Sequence, residues 1–367
     1  MNFINQIEPY ITDNEIRAVS EYLKSGGWLT EFKKTEEFEK MLANFLGTKY
    51  AVVLTSGTVA LYLALLALRI GRGDKVIVPN YTMIATINAV KWTGAEPVIA
   101  DVDPANLCLD ITKIKLDPAC KAMIYVSING RSSDMDGVRR FCREKKLALI
   151  EDACQAFGSK CGGKYLGTFG LAGAISFTPH KIITTGQGGA VVTDNEEVCQ
   201  KVRKLKDFCR VSPGVDVHED IGFNFKFTDL QAVIGIEQMK AIAFRIEQKK
   251  KIFGVYRQEL SGVREVEFLS TDLNQTVPWF VDILLPADQV RDSLAAHLKK
   301  QNIGVRVFYP PLNHQAPYSH FTKGTFPVSE SVVNRGLWLP SSISLDSEKI
   351  GYICAQIKDF FSKGRLK

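Results

Sequence analysis

The sequence predicts an α/β protein in which a large, mixed and mostly parallel sheet is followed by a smaller α+β domain. Short β-branched runs alternate with helix-like stretches over the first part of the chain, a pattern typical of βαβ units. After Asp229 the pattern changes to long helices with fewer strands. A chain of 367 residues is long enough for more than one domain. We therefore expect a large domain over residues 1–240 and a small one over 241–367, with the N-terminal helix a candidate to pack on the small domain.

The elements of the large domain follow in order. Thr12-Asp13-Asn14-Glu15 is a capping box that opens an amphipathic helix, and Gly26-Gly27 ends that helix. The predicted strands span residues 50–54, 75–79, 97–101, 122–127, 148–151, 172–178 and 189–193. Helices between the early strands span residues 58–68, 85–92 and 135–144. Because the last two strands are close in sequence, we expect part of the sheet to be antiparallel.

The small domain is predicted to begin with helical structure. Residues 230–260 form either one long helix or two helices joined end to end. After them we expect a strand over 279–285, a helix over 287–301, a strand over 304–308 and a final helix over 347–362. No internal repeat or low-complexity linker interrupts this order.

Composition excludes several classes of protein. Lysine and arginine number 46 against 40 acidic residues, and this excess of +6 is too weak to indicate nucleic-acid binding. The run Lys249–Lys251 fits the solvated face of a helix better than a binding patch. No apolar run reaches the roughly 18–20 residues of a membrane span, and the N-terminus does not resemble a signal peptide.

The cysteines and histidines show no metal-ligand spacing. None of the eight cysteines forms a Cys-x-x-Cys pair, and they fit reduced thiols. We therefore expect a cytoplasmic protein without a metal site.

A lysine and a carboxylate follow two of the predicted strands. Asp152 comes directly after the predicted strand over residues 148–151, and Lys181 follows the strand over residues 172–178. An enzyme that uses pyridoxal 5'-phosphate (PLP) needs a lysine to form a Schiff base with the cofactor and a buried carboxylate to keep the pyridine nitrogen protonated. The alternatives are a solvent-facing lysine and an aspartate that caps a loop. The PLP interpretation requires the two residues to share one site.

A second pattern suits a phosphate group. Thr55-Ser56-Gly57-Thr58 follows a strand and opens a helix, where backbone N–H groups and small hydroxyl residues favour an anion. Ser176, near the end of another strand, is placed to join the same phosphate. Taken alone, the first motif fits an N-cap with a tight turn better than a phosphate site. The glycines of 186–189 permit close approach of a ligand but do not have the spacing of a dinucleotide fingerprint.

Taken together, these segments resemble the DegT/DnrJ/EryC1/StrS family of PLP-dependent sugar aminotransferases, which have the aspartate aminotransferase fold (fold type I). The matching segments stand in the family's order and extend from about Ile7 to about Leu339. They are residues 55–58, 79–83, 151–158, Ser176 through Lys181 with the glycines of 186–189, and Gly222-Phe223-Asn224-Phe225. The ordered set is specific even though each motif alone is weak.

The resemblance implies a role for each matching residue. Lys181 carries the Schiff base, Asp152 pairs with the pyridine nitrogen, and Gln155 contacts the ring hydroxyl. The residues implied to bind the cofactor phosphate are Gly57, Thr58, Ser176 and, from the neighbouring subunit, Asn224. Because Asn224 serves the neighbour's site, the resemblance implies a homodimer with shared active sites. The residues implied to line the sugar site are Trp28, Arg306 and Tyr309.

Three positions depart from the family pattern. Met83 stands where relatives commonly place an aromatic residue over the cofactor ring, so stacking on the ring is expected to be weaker. Ser127 stands where relatives often have a histidine. A second histidine, common after the proline pair, is displaced here, which gives Asn313-His314. The last two changes are expected to affect the substrate rather than the cofactor.

The resemblance implies amino transfer from L-glutamate to a nucleotide-linked keto sugar, in the synthesis of an amino sugar for a surface polysaccharide such as an O-antigen. The pattern is nearest to perosamine-synthase-like members, which aminate a GDP-linked 4-keto-6-deoxy sugar, and dTDP- or UDP-linked sugars stay open. Other possibilities are a non-nucleotide acceptor such as an inosose or a small phosphorylated ketone, a PLP-dependent sugar dehydratase, and a non-catalytic regulator. The dehydratases carry histidine in the position of Lys181, and here His180 is one residue out of register.

Overall fold

The computed structural model describes residues 2–212, 214–321 and 325–364. Within these residues the strands, in chain order, are β1 (Tyr50–Leu54), β2 (Lys75–Pro79), β3 (Glu96–Ala100), β4 (Cys120–Val126), β5 (Ala148–Asp152), β6 (Lys160–Cys161), β7 (Lys164–Tyr165), β8 (Ala172–Ser176), β9 (Gly189–Thr193), β10 (Val281–Leu284), β11 (Arg306–Val307) and β12 (Gly336–Leu339). The helices are α1 (Asp13–Lys24), α2 (Lys33–Leu46), α3 (Gly57–Ala67), α4 (Ala85–Trp92), α5 (Met135–Glu144), α6 (Glu196–Lys206), α7 (Asp229–Lys240), α8 (Ile242–Glu259), α9 (Asp288–Lys300), α10 (Pro327–Arg335) and α11 (Ser347–Gly364).

A seven-stranded mixed sheet forms the centre of the molecule, in the order β1-β9-β8-β5-β4-β2-β3. Strands β3, β2, β4, β5 and β8 are parallel, whereas β9 runs antiparallel to both of its neighbours. The predicted mixed, mostly parallel sheet is confirmed, including its antiparallel part. Because parallel strands end at the same edge, the residues that follow β4, β5 and β8 converge there.

Both faces of the sheet are covered by helices. Along β1, Val52 and Leu54 face one apolar cluster, whereas Ala51 and Val53 face the other. This alternation is expected of a strand that is buried on both sides. Helix α3 is apolar around most of its circumference because it contacts β8, β9, α4 and α6.

The C-terminal part of the chain has its own three-stranded antiparallel sheet, in the order β10-β12-β11. Helices α8, α9 and α11 cover it and share a third apolar cluster. The predicted helical stretch of 230–260 is two helices that meet at Ala241. Since the helix is interrupted there, we propose that the large and small domains divide near residue 240.

The N-terminal segment contacts both parts. Helix α1 packs on α7, and Glu15 of α1 forms a buried ion pair with Arg245 of α8. Ahead of the helix, Ile4 forms a parallel bridge with Ile303 and joins the third apolar cluster. Thus the residues before α1, more than α1 itself, are built into the C-terminal part.

Buried polar contacts hold the two parts together. Arg131, in the loop after β4, forms a buried bidentate ion pair with Asp282 of β10, with N–O distances of 3.1 and 2.5 Å. Asp101, after β3, accepts hydrogen bonds from the backbone N–H groups of Val328 and Ser329 at the start of α10, both at 3.0 Å. These contacts fix the crevice between the parts, where the ends of the parallel strands lie.

The prediction that Lys249–Lys251 forms a solvated helix face is wrong for Lys249. Its side chain is buried, and its Nζ donates a hydrogen bond to the carbonyl oxygen of Ser341 at 2.7 Å. Successive helical residues are turned by roughly 100°, so three consecutive lysines cannot share one face. Separately, no helix in the described part of the chain is long and apolar enough to span a bilayer.

Candidate active site

Lys181 lies in the loop that connects β8 to β9. Its Nζ is 3.7 Å from the ring centroid of Trp279, and its backbone N–H donates to the carbonyl oxygen of Thr178 at 3.0 Å. Burial lowers the pKa of the amine from 10.5 to about 8, although the nearby Cys154 thiol and Asp152 carboxylate act in the opposite direction. A substantial fraction of this lysine is therefore neutral near physiological pH, which nucleophilic attack and proton transfer both require.

Asp152 is the last residue of β5, and its carboxylate is buried. Its Oδ2 accepts a hydrogen bond from Thr86 Oγ1 at 2.7 Å, and its Oδ1 accepts one from the Cys154 backbone N–H at 3.2 Å. Thr82 Oγ1 lies 3.0 Å from Thr86 Oγ1. Each carboxylate oxygen can accept a second hydrogen bond, so the group is oriented and still able to bind a protonated ring nitrogen.

The start of α3 lies against the ends of β5 and β8. Ser56 caps the helix by accepting a hydrogen bond from the Val59 backbone N–H at 3.2 Å. A Cβ on Gly57 would lie 2.7 Å from Cys154 Sγ and 3.0 Å from Ser176 Cβ, so only glycine fits without movement of its neighbours. Thr58 is partly exposed in the same turn. The three residues of one subunit that are predicted to bind the phosphate, Gly57, Thr58 and Ser176, therefore meet at one helix N-terminus.

Gln155 is buried one turn beyond Asp152. Its Oε1 accepts a hydrogen bond from the backbone N–H of Asn129 at 2.9 Å. The side-chain carbonyl is thereby occupied, and the amide nitrogen is the group left to donate towards a ligand. This orientation suits a partner that accepts hydrogen bonds, such as an ionised ring hydroxyl.

The C-terminal part contributes one wall of the crevice. Burial raises the pKa of Tyr309 to about 12; the positive charge of Arg306 opposes this rise and the negative charge of Asp152 adds to it. The guanidinium carbon of Arg306 is 5.4 Å from the Tyr309 ring centroid. Burial, together with the positive charges of Lys181 and Arg306, lowers the pKa of His180. The structure thus places Arg306 and Tyr309 in the electrostatic field of Asp152, His180 and Lys181.

Two predicted site residues lie apart from this group. Trp28 follows α1, is 66% exposed and has its ring centroid 6.1 Å from that of Phe32. Asn224 is exposed in the segment before α7, where its backbone forms a bridge with Asp207. Among the described residues of one chain, Trp28 contacts Tyr22 and Phe32, and Asn224 contacts Asp207. These contacts lie outside the loop of Lys181.

Of the three positions that depart from the family pattern, Ser127 contacts the backbone of Asp152, whereas Met83 lies in the turn that precedes α4. Met83 is 43% exposed in the loop after β2, and its Sδ accepts a hydrogen bond from the Ala85 backbone N–H at 3.0 Å. Ser127 follows β4, and its backbone N–H donates to the carbonyl oxygen of Asp152 at 3.1 Å. Its buried hydroxyl has no hydrogen-bond partner within the described parts of the chain.

Asn313 has a structural role that the sequence did not indicate. Its Oδ1 accepts a hydrogen bond from Asn80 Nδ2 at 3.0 Å, and its Nδ2 donates to Glu330 at 2.8 Å. Both ends of the amide are therefore used to join the loop after β2 to α10. The expectation that the change at Asn313-His314 affects the substrate stays a prediction.

Thr86 and Trp279 are site residues that sequence reasoning missed. Thr86 contacts Asp152 from α4, and Trp279 contacts Lys181 from the segment before β10. Neither belongs to a motif with a chemical signature, because each contact depends on how distant segments pack. Among the described residues, no group of three or more His, Cys, Asp or Glu side chains could hold a metal ion.

Residues 9–358 match the family model described as the DegT/DnrJ/EryC1/StrS aminotransferase family. The chain belongs to this family. It is therefore an aminotransferase that depends on PLP, as the sequence predicted.

Individual relatives agree with this assignment over the whole chain. The aminotransferase is 36% identical to the GDP-perosamine synthase of Escherichia coli O157:H7, over 99% of this chain and 100% of the relative. It is 34% identical to the GDP-perosamine synthase of Vibrio cholerae, over 97% and 98%. Among solved structures, the aminotransferase TlmJ from Streptoalloteichus hindustanus matches with a TM-score of 0.93 and 27% identity, covering 99% of this chain and 100% of that one. The predicted aminotransferase fold is confirmed.

The site residues of this aminotransferase fit PLP. The cofactor needs an amine, a carboxylate and an anion-binding helix N-terminus for its aldehyde, ring nitrogen and phosphate. Lys181, Asp152 and the turn at Gly57 supply these groups, and the electrostatic contacts of Cys154 with both Lys181 and Asp152 place them together.

Proposed function

We propose that this aminotransferase transfers the amino group of L-glutamate to a nucleotide-linked keto sugar, with a GDP-linked 4-keto-6-deoxy hexose as the best-supported acceptor. The observation that carries the proposal is the end-to-end similarity to two GDP-perosamine synthases. The Lys181–Asp152 pair supports the reaction type, because a lysine in this position favours amino transfer over sugar dehydration. The product is an amino sugar, which we assign to the synthesis of a surface polysaccharide.

The residues proposed to hold the cofactor act on its separate groups. Asp152 would accept a hydrogen bond from the protonated ring nitrogen, and Gln155 would donate its amide N–H to the ring hydroxyl. Gly57, Thr58 and Ser176 bind the phosphate at the N-terminus of α3. When bound, PLP supplies an aldehyde for Schiff-base formation and a ring that withdraws electrons from the adjacent carbon.

Lys181 is proposed to be both the nucleophile and the group that moves the proton. A lysine with a pKa of about 8 is half neutral at pH 8, so it can take a proton from the amino donor and return it. Its protonated fraction increases as the pH falls below 8 and is nearly complete two units lower. We therefore expect the rate of proton abstraction to fall on the acid side of this pKa.

The wall formed by the C-terminal part is proposed to bind the substrates. Arg306 carries an exposed guanidinium beside the partly exposed ring of Tyr309, a combination that suits a carboxylate or a phosphate together with a sugar face. Both substrates are anionic, since glutamate carries carboxylates and the sugar carries a nucleotide diphosphate. One cationic wall can therefore serve the two half-reactions in turn.

We propose a homodimer in which each subunit completes the other's site. Trp28 and Asn224 are exposed and contact other segments than their own subunit's lysine loop, as expected if they act across an interface. Large exposed apolar side chains cluster in the segment between α6 and α7, namely Phe208, Val211, Val215, Val217 and Ile221. An exposed apolar cluster of this kind favours burial against another protein surface. A cytoplasmic location is proposed because all eight cysteines are free.

The test is an assay with purified enzyme, PLP, L-glutamate and a GDP-linked 4-keto-6-deoxy hexose. We expect equimolar 2-oxoglutarate and a GDP-amino sugar, identified by product mass. The matched UDP- and dTDP-linked keto sugars and an inosose serve as competing acceptors. A kcat/KM for any of these that exceeds the value for the GDP-linked sugar would overturn the choice of acceptor, and a product lacking nitrogen would overturn amino transfer.

A further inference from the structure

Trp279 contacts the loop between β8 and β9, which carries Lys181 and is called the catalytic loop below, in two ways. Its ring centroid lies 3.7 Å from the Nζ of Lys181, within the range of a cation–π interaction. Its indole Nε1 donates a hydrogen bond to the carbonyl oxygen of His180 at 2.8 Å. The same side chain therefore touches the amine of Lys181 and holds the backbone of the preceding residue.

Trp279 is itself held rigidly. It is 4% exposed, and its ring stacks on Phe280 with centroids 3.9 Å apart. Asn129 binds both backbone groups of Phe280, accepting from its N–H at 2.7 Å and donating to its oxygen at 2.9 Å. The backbone N–H of Asn129 in turn donates to Gln155. The indole is thus fixed relative to the proposed cofactor pocket as well as to the C-terminal part.

We propose that Trp279 is a positioning residue for Lys181, holding the free ammonium form of the lysine against its ring whenever that lysine is not bonded to the cofactor. This inference rests on the proposed role of Lys181. A ring face attracts an ammonium but not a neutral amine, so the interaction ends when the lysine loses its proton. The lysine is thereby kept close to the reacting atoms and is released in its reactive form.

An aromatic ring suits this task better than a carboxylate at the same distance. A carboxylate raises the pKa of a lysine strongly, whereas the weaker attraction of a ring leaves deprotonation accessible near neutral pH. The other charged or titratable groups that act on Lys181 or on its loop are Asp152, Cys154, His180 and Arg306. All four are retained in the variants below, so a changed titration of Lys181 reports on the ring.

The experiment measures the pKa of Lys181 in the cofactor-free protein. The rate at which acetic anhydride labels Lys181 is followed by peptide mass spectrometry from pH 6 to 10. The variants are Trp279→Leu, which removes the ring, and Trp279→Phe, which keeps a smaller ring at similar volume. Phe280→Leu is the packing control, because it disturbs the same aromatic cluster without removing the ring beside Lys181.

We expect the pKa of Lys181 to fall by about 0.5–1 unit in Trp279→Leu and by less in Trp279→Phe, since loss of the ring destabilises the ammonium. Phe280→Leu should keep the wild-type value. The proposal is overturned if the pKa of Lys181 is the same in the wild type and both Trp279 variants, or if Phe280→Leu shifts it as much as Trp279→Leu does. Trp279→Phe is conservative enough to keep the test valid if Trp279→Leu does not fold. Absorption of the wild type with PLP is recorded separately, so failure of the proposed function is distinguished from failure of this inference.

Discussion

Glu151 and Asp152 are adjacent carboxylates whose surroundings differ completely. Strand geometry turns neighbouring side chains to opposite faces of the sheet. Asp152 faces Thr86 and the catalytic loop, whereas the Glu151 carboxylate accepts hydrogen bonds from the backbone N–H groups of Gly167, Phe169 and Gly170 at 2.5–2.8 Å. Burial raises the pKa of Glu151 despite these donors. We therefore assign Glu151 to the support of the loop over 167–170 and only Asp152 to the reaction.

Lys181→Ala is expected to abolish both Schiff-base formation and turnover, because the amine has no substitute at its position. The measurement is the visible absorption spectrum with PLP, before and after addition of L-glutamate. Lys249→Met is the matched control, since it removes another buried lysine, whose Nζ donates to the carbonyl oxygen of Ser341. Retention of a glutamate-sensitive absorption band by Lys181→Ala would show that another residue carries the cofactor.

Thr86→Val is expected to lower kcat by roughly tenfold to a hundredfold, because a hydrogen bond to a charged group contributes about 1.5–3 kcal/mol. The substitution keeps the shape of the side chain and removes the O–H that orients Asp152. Thr82→Val is the control, because Thr82 is in contact with Thr86 and its loss should have a smaller effect. Steady-state kinetics of both variants decide the point, and equal kcat values for Thr86→Val and wild type would contradict the assigned role.

The chemistry of single residues was partly predictable from the sequence. Lys181 and Asp152 could be proposed because each follows an apolar strand and carries a functional group that the reaction needs, and the structure places them in one crevice. Trp279 and Thr86 could not, because tryptophan and threonine are common in packed cores and their partners lie far away in sequence. The role of Asn313 was missed for the same reason, since its bonds to Asn80 and Glu330 form only after the two parts of the chain pack.

At the scale of single elements, the sequence pattern predicted the strands of the central sheet well but missed several helices and some short strands outside that sheet. The runs that became β1, β2 and β9 are β-branched and bounded by turn residues, so their limits agree with the structure. Helices α2, α6 and α10 and strand β12 were not predicted. Strand β12 has only four residues, and its position between β10 and β11 is set by pairing that a local pattern cannot reveal.

Helix α8 contains a buried lysine, Lys249, whose effect on the free energy of unfolding depends on pH. Burial lowers the pKa of Lys249 from 10.5 to about 7. Between these two values the folded protein binds fewer protons than the unfolded chain, so this lysine lowers the free energy of unfolding progressively as the pH falls from 10.5 to 7. Below the folded pKa the cost is complete and no longer changes.

Lys249→Met should therefore stabilise the protein most below pH 7 and progressively less as the pH rises. We expect a gain on the order of 2 kcal/mol at pH 6.5, after the loss of the hydrogen bond to Ser341 is subtracted. Urea unfolding at pH 6.5, 8 and 9.5 measures the trend. Lys250→Met is the control on the same helix, and a difference from wild type that grows with pH would refute the prediction.

At the scale of the whole molecule, the proposed dimer follows from apolar surface that one chain leaves exposed. Ile221 is 82% exposed in the segment between α6 and α7, which also contains Asn224. The family resemblance suggested the homodimer, but the sequence alone could not identify its interface. An apolar residue in a loop has no periodicity that separates an exposed position from a buried one.

Ile221→Asp is expected to shift the protein from dimer to monomer, because a carboxylate in an apolar interface must be desolvated without a partner. Sedimentation velocity at several concentrations measures the change. Leu171→Asp is the control, because it places the same charge on an exposed apolar site elsewhere. Dissociation should also lower activity, since the site is proposed to need Asn224 of the partner subunit. A dimer that tolerates Ile221→Asp would place the interface elsewhere.

The pairing of β1 with β9 has a consequence for how the enzyme matures. Tyr50 is in register with Thr193, so the first strand of the sheet cannot be completed until the last has been synthesised and docked. Gly57 meets Cys154 and Ser176 only in that finished sheet. Contacts between such distant segments form slowly. We therefore expect PLP to bind only after this sheet is complete, and the absorption band of bound PLP should return during refolding at the rate of the slowest step.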